Sequence, residues 1–352
     1  MRVGLVGCGL IGNRRARVVS ESADDDLVIV ADVDMARAVA VAQTTSCEAA
    51  SDWRDVTERE DLDIIIVSTP NMFLMPVAVS ALARGKHVLC EKPLGRNSAE
   101  AQLMVDAARK AKVVLKTGFN HRHHPAIRKA HELCSQGVIG KPMFVRAVYG
   151  HGGRPGYHKE WRGDPELAGG GELLDQGVHI IDLCRWFLGE FTHVTGCTVT
   201  SFWDLGYLES SHPPAPGDSG RRRLEDNAFV TMQTADERVA QFHTSWTQWK
   251  NRFSFEVLGR DGYALVNGLG GSYGTESLTI GQRRPEGGVP TEEILEYPGA
   301  DLSWNVEWEH FRQAIQEGRD PLGSAADGLG AMRLIDAIYE SARTGEVVQV
   351  AP

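Results

Sequence analysis

Short apolar runs alternate with helix-like patterns over the first third of the chain. The clearest run is Ile64-Ile65-Ile66-Val67, which is apolar on both faces, as a central strand of a parallel sheet is. Strands separated by helices predict βαβ units and therefore an α/β domain with a doubly wound parallel sheet. The predicted strands cover residues 2–6, 27–31, 63–68, 87–90 and 113–117, and the predicted helices cover residues 13–20, 35–43, 77–84 and 99–110.

Beyond residue 120 the pattern changes to consecutive strands joined by short turns. This pattern predicts an α+β domain with a large, mostly antiparallel, open sheet. We expect an α/β domain at 1–120, an α+β domain for substrate binding and oligomerisation at 121–323, and a C-terminal helix and tail at 324–352 that packs back on the first domain. The strand-like runs cover residues 143–149, 194–201, 227–233, 239–246, 253–259, 264–267 and 277–280, and the helix-like patterns cover 126–135, 172–188, 306–316 and 325–342.

Composition and charge narrow the class of protein. The 352 residues carry a formal net charge of −10, which argues against binding to nucleic acid or to an anionic membrane surface. No apolar run approaches the ~20 residues of a spanning helix, and the first residues lack the layout of a signal peptide. The six cysteines form no C-x-x-C pair, as expected of reduced thiols. We expect a cytoplasmic protein with a small-molecule partner.

A glycine-rich motif stands between the first predicted strand and the first helix. Gly7-Cys8-Gly9-Leu10-Ile11-Gly12 fits G-x-G-x-x-G in the context of a Rossmann dinucleotide-binding loop, where glycines let the backbone approach a pyrophosphate. Asp32 ends the second strand, where a carboxylate accepts hydrogen bonds from the ribose hydroxyls of NAD and repels a 2′-phosphate. The nearest arginine after it is Arg37. The motif predicts NAD, with NADP less favoured; a glycine turn without a ligand is the alternative.

Three further motifs carry a resemblance to a known family. They are Ser68-Thr69-Pro70-Asn71, Cys90-Glu91-Lys92-Pro93, and the stretch 169–179 that ends in Asp175-Gln176-Gly177-Val178-His179. With the glycine loop, they make essentially the whole chain resemble the Gfo/Idh/MocA oxidoreductases. The resemblance implies an NAD(P)-dependent hydride transfer on a sugar, cyclitol or related alcohol. It also implies dimers or tetramers formed through the C-terminal sheet.

The resemblance assigns roles to individual residues. Lys92 matches the family lysine that contacts the nicotinamide ribose and the reacting hydroxyl, and Asp175 and His179 match the catalytic pair. The chain departs from the family at Met75, where many members have histidine. The candidate cofactor residues are Gly7, Gly9, Leu10, Ile11, Gly12, Asp32, Arg37, Ser68, Thr69, Pro70, Asn71, Glu91 and Lys92. The candidate substrate residues are Asn120, Arg122, Arg154, Tyr157, Trp161 and Arg162.

The chemistry of these side chains suits hydride transfer. Oxidation of a secondary alcohol needs a base for the hydroxyl proton and a cation beside the developing alkoxide. His179 follows Asp175 by four residues, so both share one face of a helix. Lys92 supplies the cation at the carboxyl end of a strand. Asp182 is expected to be an ordinary helix residue, and a partner of His179 is the alternative.

Other clusters are weaker candidates. His121-Arg122-His123-His124 has poor spacing for a metal site, so we expect no metal there and a loop at the domain junction. Arg221-Arg222-Arg223, in a predicted surface loop at 210–223, is expected to be solvated rather than phosphate-binding. Trp246 and Trp249 are expected to pack in the sheet rather than stack on a sugar.

The loop at 151–162 bears on the substrate. Its arginines, aromatic rings and hydrogen-bond donors suit a polyhydroxylated ligand and slightly favour an anionic sugar or nucleotide sugar. The alternative is that its charges are solvated or pair with Glu160 and Asp164.

Three functions therefore remain open. The leading one is a sugar or cyclitol dehydrogenase with His179 as acid and base and Lys92 polarising the hydroxyl. The others are a glycosidase that oxidises its sugar transiently with bound NAD, and a dinucleotide-sensing protein without catalysis.

Overall fold

The computed structural model describes residues 1–153, 159–203 and 224–350. It divides into two compact units. Unit 1 comprises Met1–Asn120, Glu166–Gly169 and Trp304–Met332, and unit 2 comprises His121–Pro165, Gly170–Ser303 and Arg333–Pro352. The C-terminal segment at 324–352, expected to pack on the first domain, is thus divided between the two units. The predicted domain boundaries otherwise stay a prediction.

Unit 1 contains a parallel sheet, and the predicted doubly wound α/β class is confirmed. Its strand order is β3-β2-β1-β4-β5-β6, and the neighbouring strands pair in parallel. The direction of winding reverses between β1 and β4, and ligands of such sheets bind at the carboxyl ends of the strands at this point. The strands are β1 (Arg2–Val6), β2 (Asp26–Ala31), β3 (Glu48–Ala50), β4 (Ile64–Val67), β5 (His87–Cys90) and β6 (Leu115–Thr117).

Most helices follow the sequence prediction, and the fourth helix of unit 1 differs clearly from it. The helix predicted at 77–84 begins at Asn71, so the expectation that it starts after Pro76 was wrong. Proline removes a backbone donor and usually ends a helix. Here Leu74, Val77 and Ala81 form a fully buried face that continues through the proline, and this burial stabilises the longer helix. The helices along the chain are α1 (Leu10–Ser20), α2 (Met35–Thr45), α3 (Arg54–Thr57), α4 (Asn71–Ala83), α5 (Ser98–Ala111), α6 (Pro125–Ser135), α7 (Pro165–Ala168), α8 (Val178–Leu188), α9 (Ser303–Glu317) and α10 (Ala325–Thr344).

Unit 2 contains the predicted large, mostly antiparallel sheet, which is also confirmed. Among the described residues its strand order is β14-β13-β12-β11-β7-β10-β9-β8-β15, and the β7–β10 pair runs in parallel. The sequence prediction missed β14 and β15 at the two edges. The strands are β7 (Pro142–Gly150), β8 (Phe191–Val199), β9 (Asn227–Thr234), β10 (Val239–Ser245), β11 (Arg252–Gly259), β12 (Gly262–Asn267), β13 (Glu276–Gln282), β14 (Thr291–Tyr297) and β15 (Val348–Gln349).

The two faces of the unit 2 sheet differ. In β9, exposed residues such as Phe229 and Thr231 alternate with buried residues such as Val230 and Met232. Helix α8 is buried on nearly every side and packs against β7. This burial places the first turn of α8, polar side chains included, in the core of unit 2. In the part of the chain that the structure describes, no helix combines the length and apolar character needed to cross a membrane.

Candidate active site

The glycine loop of unit 1 joins β1 to α1, and its own glycines shape it. Gly7 has a φ of +97°, and a Cβ there would lie 2.6 Å from the Ser68 carbonyl oxygen. A Cβ on Gly12 would lie 1.8 Å from the Gly7 carbonyl oxygen, whereas a Cβ on Gly9 would meet no atom within 4 Å. The protein itself therefore requires Gly7 and Gly12. Gly9 instead leaves open space at the N-terminus of α1, which fits a pyrophosphate.

Asp32 is held beside this loop by backbone hydrogen bonds. Its Oδ2 accepts the Cys8 N–H at 2.7 Å, and its Oδ1 accepts the Asp34 N–H at 2.9 Å. Burial and the nearby Asp32 carboxylate raise the pKa of the Cys8 thiol to about 12, so this thiol stays neutral. Arg37 is exposed, and its Nε lies 3.2 Å from Asp34 Oδ2. The half-buried Asp32 carboxylate is thus placed where a ribose could meet it.

The segment after β4 supports the loop. The Ser68 hydroxyl donates to the Gly7 carbonyl at 2.8 Å, and Asn71 Nδ2 donates to the Ala168 carbonyl at 2.8 Å. Pro70 directly precedes α4. Thr69 Oγ1 is buried and has no hydrogen-bond partner among the described residues. A buried hydroxyl without a partner fits a site where a polar ligand supplies the missing hydrogen bond.

Lys92 lies two residues after β5, which ends at Cys90, and its peptide bond to Pro93 is cis. The preceding residue, Glu91, is buried, and its Oε1 accepts from Arg15 Nε at 2.7 Å. Glu91 is among the predicted cofactor residues, and the structure places its carboxylate in an ion pair with this arginine.

The Arg15–Glu91 pair belongs to a buried charge network. Arg15 Nη1 lies 2.6 Å from Glu307 Oε2, and Glu307 Oε1 lies 3.1 Å from Lys116 Nζ. The Arg15 guanidinium also lies over the Trp304 ring, 4.4 Å from its centroid. The sequence pattern does not predict this network, because its members are far apart along the chain and no local spacing links them.

In unit 2, Asp175 lies in a π-helical turn, Leu173–Gly177, and His179 lies in the first turn of α8. The expectation of one regular α-helix from residue 172 was therefore wrong. Widened π-helical turns are frequent at functional sites. Arg162 Nε lies 3.2 Å from Asp175 Oδ2, and the Arg162 guanidinium lies 4.4 Å from the Trp161 ring centroid. Asp175 is a partner for Arg162 that the sequence analysis did not predict.

The buried His179 imidazole stacks on a second imidazole. The His121 and His179 ring centroids are 3.8 Å apart at an interplanar angle of 24°. The Tyr149 ring lies 5.2 Å from His121 and 6.4 Å from His179. Burial raises the pKa of Tyr149 well above its usual value, and Tyr273 and nearby carboxylates add to this, so its hydroxyl stays protonated. His121 lies in a 3-10 turn, Asn120–His123, rather than in the expected loop.

A buried ion pair between Arg122 and Asp182 corrects the expectation for Asp182. Arg122 Nε lies 2.8 Å from Asp182 Oδ2, and Arg122 Nη2 lies 2.6 Å from Oδ1. Asp182 is therefore not an ordinary helix residue, because it accepts a two-pronged contact inside the core. Arg122, a predicted substrate residue, directs its guanidinium to this carboxylate, and its contact with a substrate stays a prediction.

The remaining candidates have mixed outcomes. Trp246 is buried in the sheet as predicted, whereas Trp249 is 66% exposed, so its predicted packing was wrong. Asn120 is buried at the start of the 3-10 turn, and His124 Nδ1 lies 2.9 Å from Glu276 Oε2.

The described residues contain no group of three or more His, Cys, Asp or Glu side chains that could hold a metal ion. Arg154, Tyr157 and the predicted loop at 210–223 with its three arginines lie outside the described residues.

Both units match one known family. Residues 1–119 match an oxidoreductase family with an NAD-binding Rossmann fold, and residues 127–265 match the Gfo/Idh/MocA C-terminal domain. The chain belongs to the Gfo/Idh/MocA oxidoreductase family. The predicted family and its NAD-binding oxidoreductase class are confirmed, and the open space at Gly9 and the carboxylate of Asp32 fit that cofactor.

Individual relatives cover nearly the whole of this Gfo/Idh/MocA chain. Levoglucosan dehydrogenase of Pseudarthrobacter phenanthrenivorans is 28% identical over 331 residues, covering 86% of this chain and 83% of the relative. Inositol 2-dehydrogenase of Rhizobium meliloti is 28% identical over 360 residues, covering 100% and 99%. A solved levoglucosan dehydrogenase in complex with NADH and L-sorbose has a TM-score of 0.87 at 24% identity, covers 100% and 99%, and shares the fold.

Proposed function

We propose that this oxidoreductase transfers a hydride between NAD and a secondary alcohol of a sugar, sugar derivative or cyclitol. The observation that carries the proposal is the buried His179 imidazole beside the π-helical turn that holds Asp175, in a family whose other domain binds NAD. The names of the relatives, levoglucosan dehydrogenase and inositol 2-dehydrogenase, support the substrate class.

His179 acts as the acid and base of the reaction. An imidazole suits this role because its ordinary pKa lies near working pH. The His121 ring on one of its faces fixes the plane of the His179 ring, so its nitrogens point in defined directions. His179 takes the hydroxyl proton during oxidation and returns it during reduction.

Lys92 polarises the reacting hydroxyl, because an ammonium group favours the developing alkoxide. Asp175 orients the substrate, and its pairing with Arg162 Nε at 3.2 Å holds the carboxylate in place. When bound, NAD supplies the carbon that accepts the hydride. The glycine loop and Asp32 bind and orient it.

The substrate contacts come from the segment before the glycine-rich turn. Trp161 is half-buried and presents a flat apolar ring that suits a sugar face. Arg162 lies over that ring and holds Asp175, so part of its charge is already offset. Asn120, Arg154 and Tyr157 complete the proposed set. Kinetics of Arg162→Ala and Arg154→Ala on matched neutral and anionic sugars test charge recognition, and an unchanged preference in both variants excludes it.

The sheet of unit 2 is the proposed interface of a cytoplasmic dimer or tetramer. Phe229 is 48% exposed on this sheet and stacks on His243 with a centroid distance of 4.2 Å. Contact with a second copy at this face would remove the apolar surface of this ring from water. Light scattering of the wild-type protein and of Phe229→Glu tests it, because a monomeric wild-type protein contradicts the proposal.

The deciding experiment is NADH formation over a panel of free, phosphorylated and nucleotide-linked sugars and inositols. We expect NAD-dependent oxidation of at least one panel member. Turnover of a glycoside without net NADH would instead favour glycosidase chemistry, and NAD binding without turnover of any member would favour a sensor.

A further inference from the structure

Two neighbouring carboxylates in unit 2 hold two different backbone segments. Glu225 binds the turn before Asp175, and Asp226 binds residues 201–203. We propose that Glu225, together with Tyr339, is a positioning residue for the turn that carries Asp175 and leads into the first turn of α8 with His179. This inference rests on the function proposed above for those two residues.

Glu225 accepts hydrogen bonds from three successive residues of the turn. Its Oε2 accepts the Gly171 N–H at 3.3 Å, and its Oε1 accepts the Leu173 N–H at 3.1 Å. Its backbone carbonyl accepts the Glu172 N–H at 3.0 Å. The Tyr339 hydroxyl donates to Oε1 at 2.7 Å and so fixes the carboxylate from α10.

The hold on this turn extends directly to Asp175. The Asp175 N–H donates to the Gly171 carbonyl at 3.0 Å, while the Gly171 N–H donates to Glu225. Gly171 thus donates its N–H to the Glu225 carboxylate and accepts, through its carbonyl oxygen, the N–H of Asp175. A displacement of Glu225 therefore reaches the backbone of Asp175 through one residue.

The turn and its support are in close contact. A Cβ on Gly171 would lie 2.1 Å from the Glu225 carbonyl oxygen, and a Cβ on Gly170 would lie 2.4 Å from the Tyr339 hydroxyl oxygen. Any side chain at these two positions would push the turn away. The glycines before Asp175 therefore serve this close approach to Glu225 and Tyr339.

Glu225→Gln tests the carboxylate with little change in volume. The glutamine amide has one acceptor oxygen, so its NH₂ group would face a backbone N–H that now loses its partner. An unsatisfied buried donor is costly, and the expected result is a loosened turn. Tyr339→Phe is a milder variant that removes only the hydroxyl donor.

Asp226 supplies a matched control because it is adjacent, buried and bonded in the same way. Its Oδ1 accepts the Ser201 N–H at 2.8 Å, and its Oδ2 accepts the Phe202 and Trp203 N–H groups at 2.7 and 2.8 Å. Asp226→Asn therefore disturbs the same kind of bond in a segment that carries no proposed catalytic residue.

Amide hydrogen exchange measures the positioning without any assay of activity. In Glu225→Gln we expect exchange in the peptide spanning 171–179 to accelerate by about tenfold, the factor that one lost hydrogen bond allows. In Asp226→Asn we expect that peptide to exchange as in the wild type. Unchanged exchange in Glu225→Gln, or equal acceleration in both variants, overturns the inference.

Kinetics then separate positioning from a general loss of stability. We expect Glu225→Gln to lower kcat by about tenfold while the KM of the alcohol and the Kd of NAD change by less than about twofold. Asp226→Asn should leave kcat within about twofold of the wild type. Equal losses of kcat in both variants overturn the inference. If Glu225→Gln does not fold, Tyr339→Phe replaces it. That variant must show faster exchange in the peptide 171–179 and a lower kcat, both by smaller factors, and unchanged exchange and kcat overturn the inference.

The proposed function and this inference fail separately. A wild-type protein without dehydrogenase activity would contradict the proposed function, and the exchange result would still decide the role of Glu225.

Discussion

The two candidate regions differ in whether backbone or side-chain atoms form most of their surface. In unit 1 the surface that fits NAD is mostly backbone, formed by a loop whose shape Gly7, Gly9 and Gly12 determine. In unit 2 the candidate reactive groups, His179 and Asp175, are side chains held by other segments, with His121 stacked on His179 and Arg162 paired with Asp175. A substitution in the glycine loop acts through sterics, whereas a substitution of His179 or Asp175 changes the chemistry.

This difference predicts that binding and turnover can be separated. Changes in the glycine loop should alter NAD affinity or the stability of unit 1. Changes at the π-helical turn should alter turnover while NAD still binds. Variants that break this separation would show that the two regions do not have the distinct roles described here.

The largest expected effect is on turnover. His179→Ala and Lys92→Ala should each lower kcat by about 10²–10⁴-fold, because each removes one group that handles the proton or the alkoxide. Both variants should retain the fold and the Kd of NAD, measured by circular dichroism and cofactor fluorescence.

His131→Ala is the matched control for His179→Ala. His131 also stacks on an aromatic ring in unit 2, with its centroid 3.8 Å from that of Trp186, but it has no proposed catalytic role. Its kcat should stay near that of the wild type. Near-full activity of His179→Ala across roughly pH 6–9 would mean that another group is the base.

The next largest effect concerns the buried charge network. Arg15→Met leaves the carboxylates of Glu91 and Glu307 buried without their shared partner. The free energy of unfolding should fall by about 3–5 kcal/mol, measured by denaturant titration. Arg37→Met breaks the exposed pair with Asp34 and should cost less than about 1 kcal/mol. Equal losses of unfolding free energy in the two variants would show that burial does not determine how much the network contributes to stability.

A smaller effect is expected from the open space at Gly9. Gly9→Ala meets no protein atom and Gly9 has a φ of −72°, so the melting temperature should not change. The Kd of NAD should rise by about tenfold because the methyl group occupies the space of the pyrophosphate. Gly12→Ala should instead lower the melting temperature, since its Cβ would lie 1.8 Å from the Gly7 carbonyl oxygen. Wild-type NAD affinity in Gly9→Ala would place the pyrophosphate elsewhere.

The smallest expected effect is on the relative affinity for NAD and NADP. We expect the wild type to bind NAD more tightly, because Asp32 would repel a 2′-phosphate and no arginine directly follows it. Titrations with both cofactors should show that Asp32→Ser lowers the ratio of the NADP Kd to the NAD Kd by roughly tenfold. Equal or tighter binding of NADP by the wild type would contradict the role of Asp32.

The sequence predicted best those parts that depend on local pattern. The buried strand Ile64–Val67 is apolar on both faces, and the glycine loop is one contiguous motif between a strand and a helix. Strand β14 was missed because its exposed edge sequence contains three glutamates, which are uncommon in strands. Helix α4 was started too late because tertiary burial of its apolar face outweighed the effect of Pro76.

The candidate site was predictable only in part. Asp175 and His179 are candidates because of a motif, but the π-helical turn that contains Asp175 is a backbone feature that four-residue spacing does not reveal. The stacking of His121 on His179 and the ion pair of Arg122 with Asp182 each join residues about sixty positions apart. Such contacts depend on the packing of the 3-10 turn against α8, for which the sequence pattern carries no signal.

The most direct test of the central claim follows the hydrogen itself. A substrate found in the sugar and inositol panel is deuterated at the carbon that is oxidised, and the mass of the NADH formed is measured. We predict that the NADH carries the deuterium, and that His179→Ala forms it far more slowly with the same label. Loss of the deuterium to water, with unlabelled NADH or none, would contradict hydride transfer from that carbon to NAD.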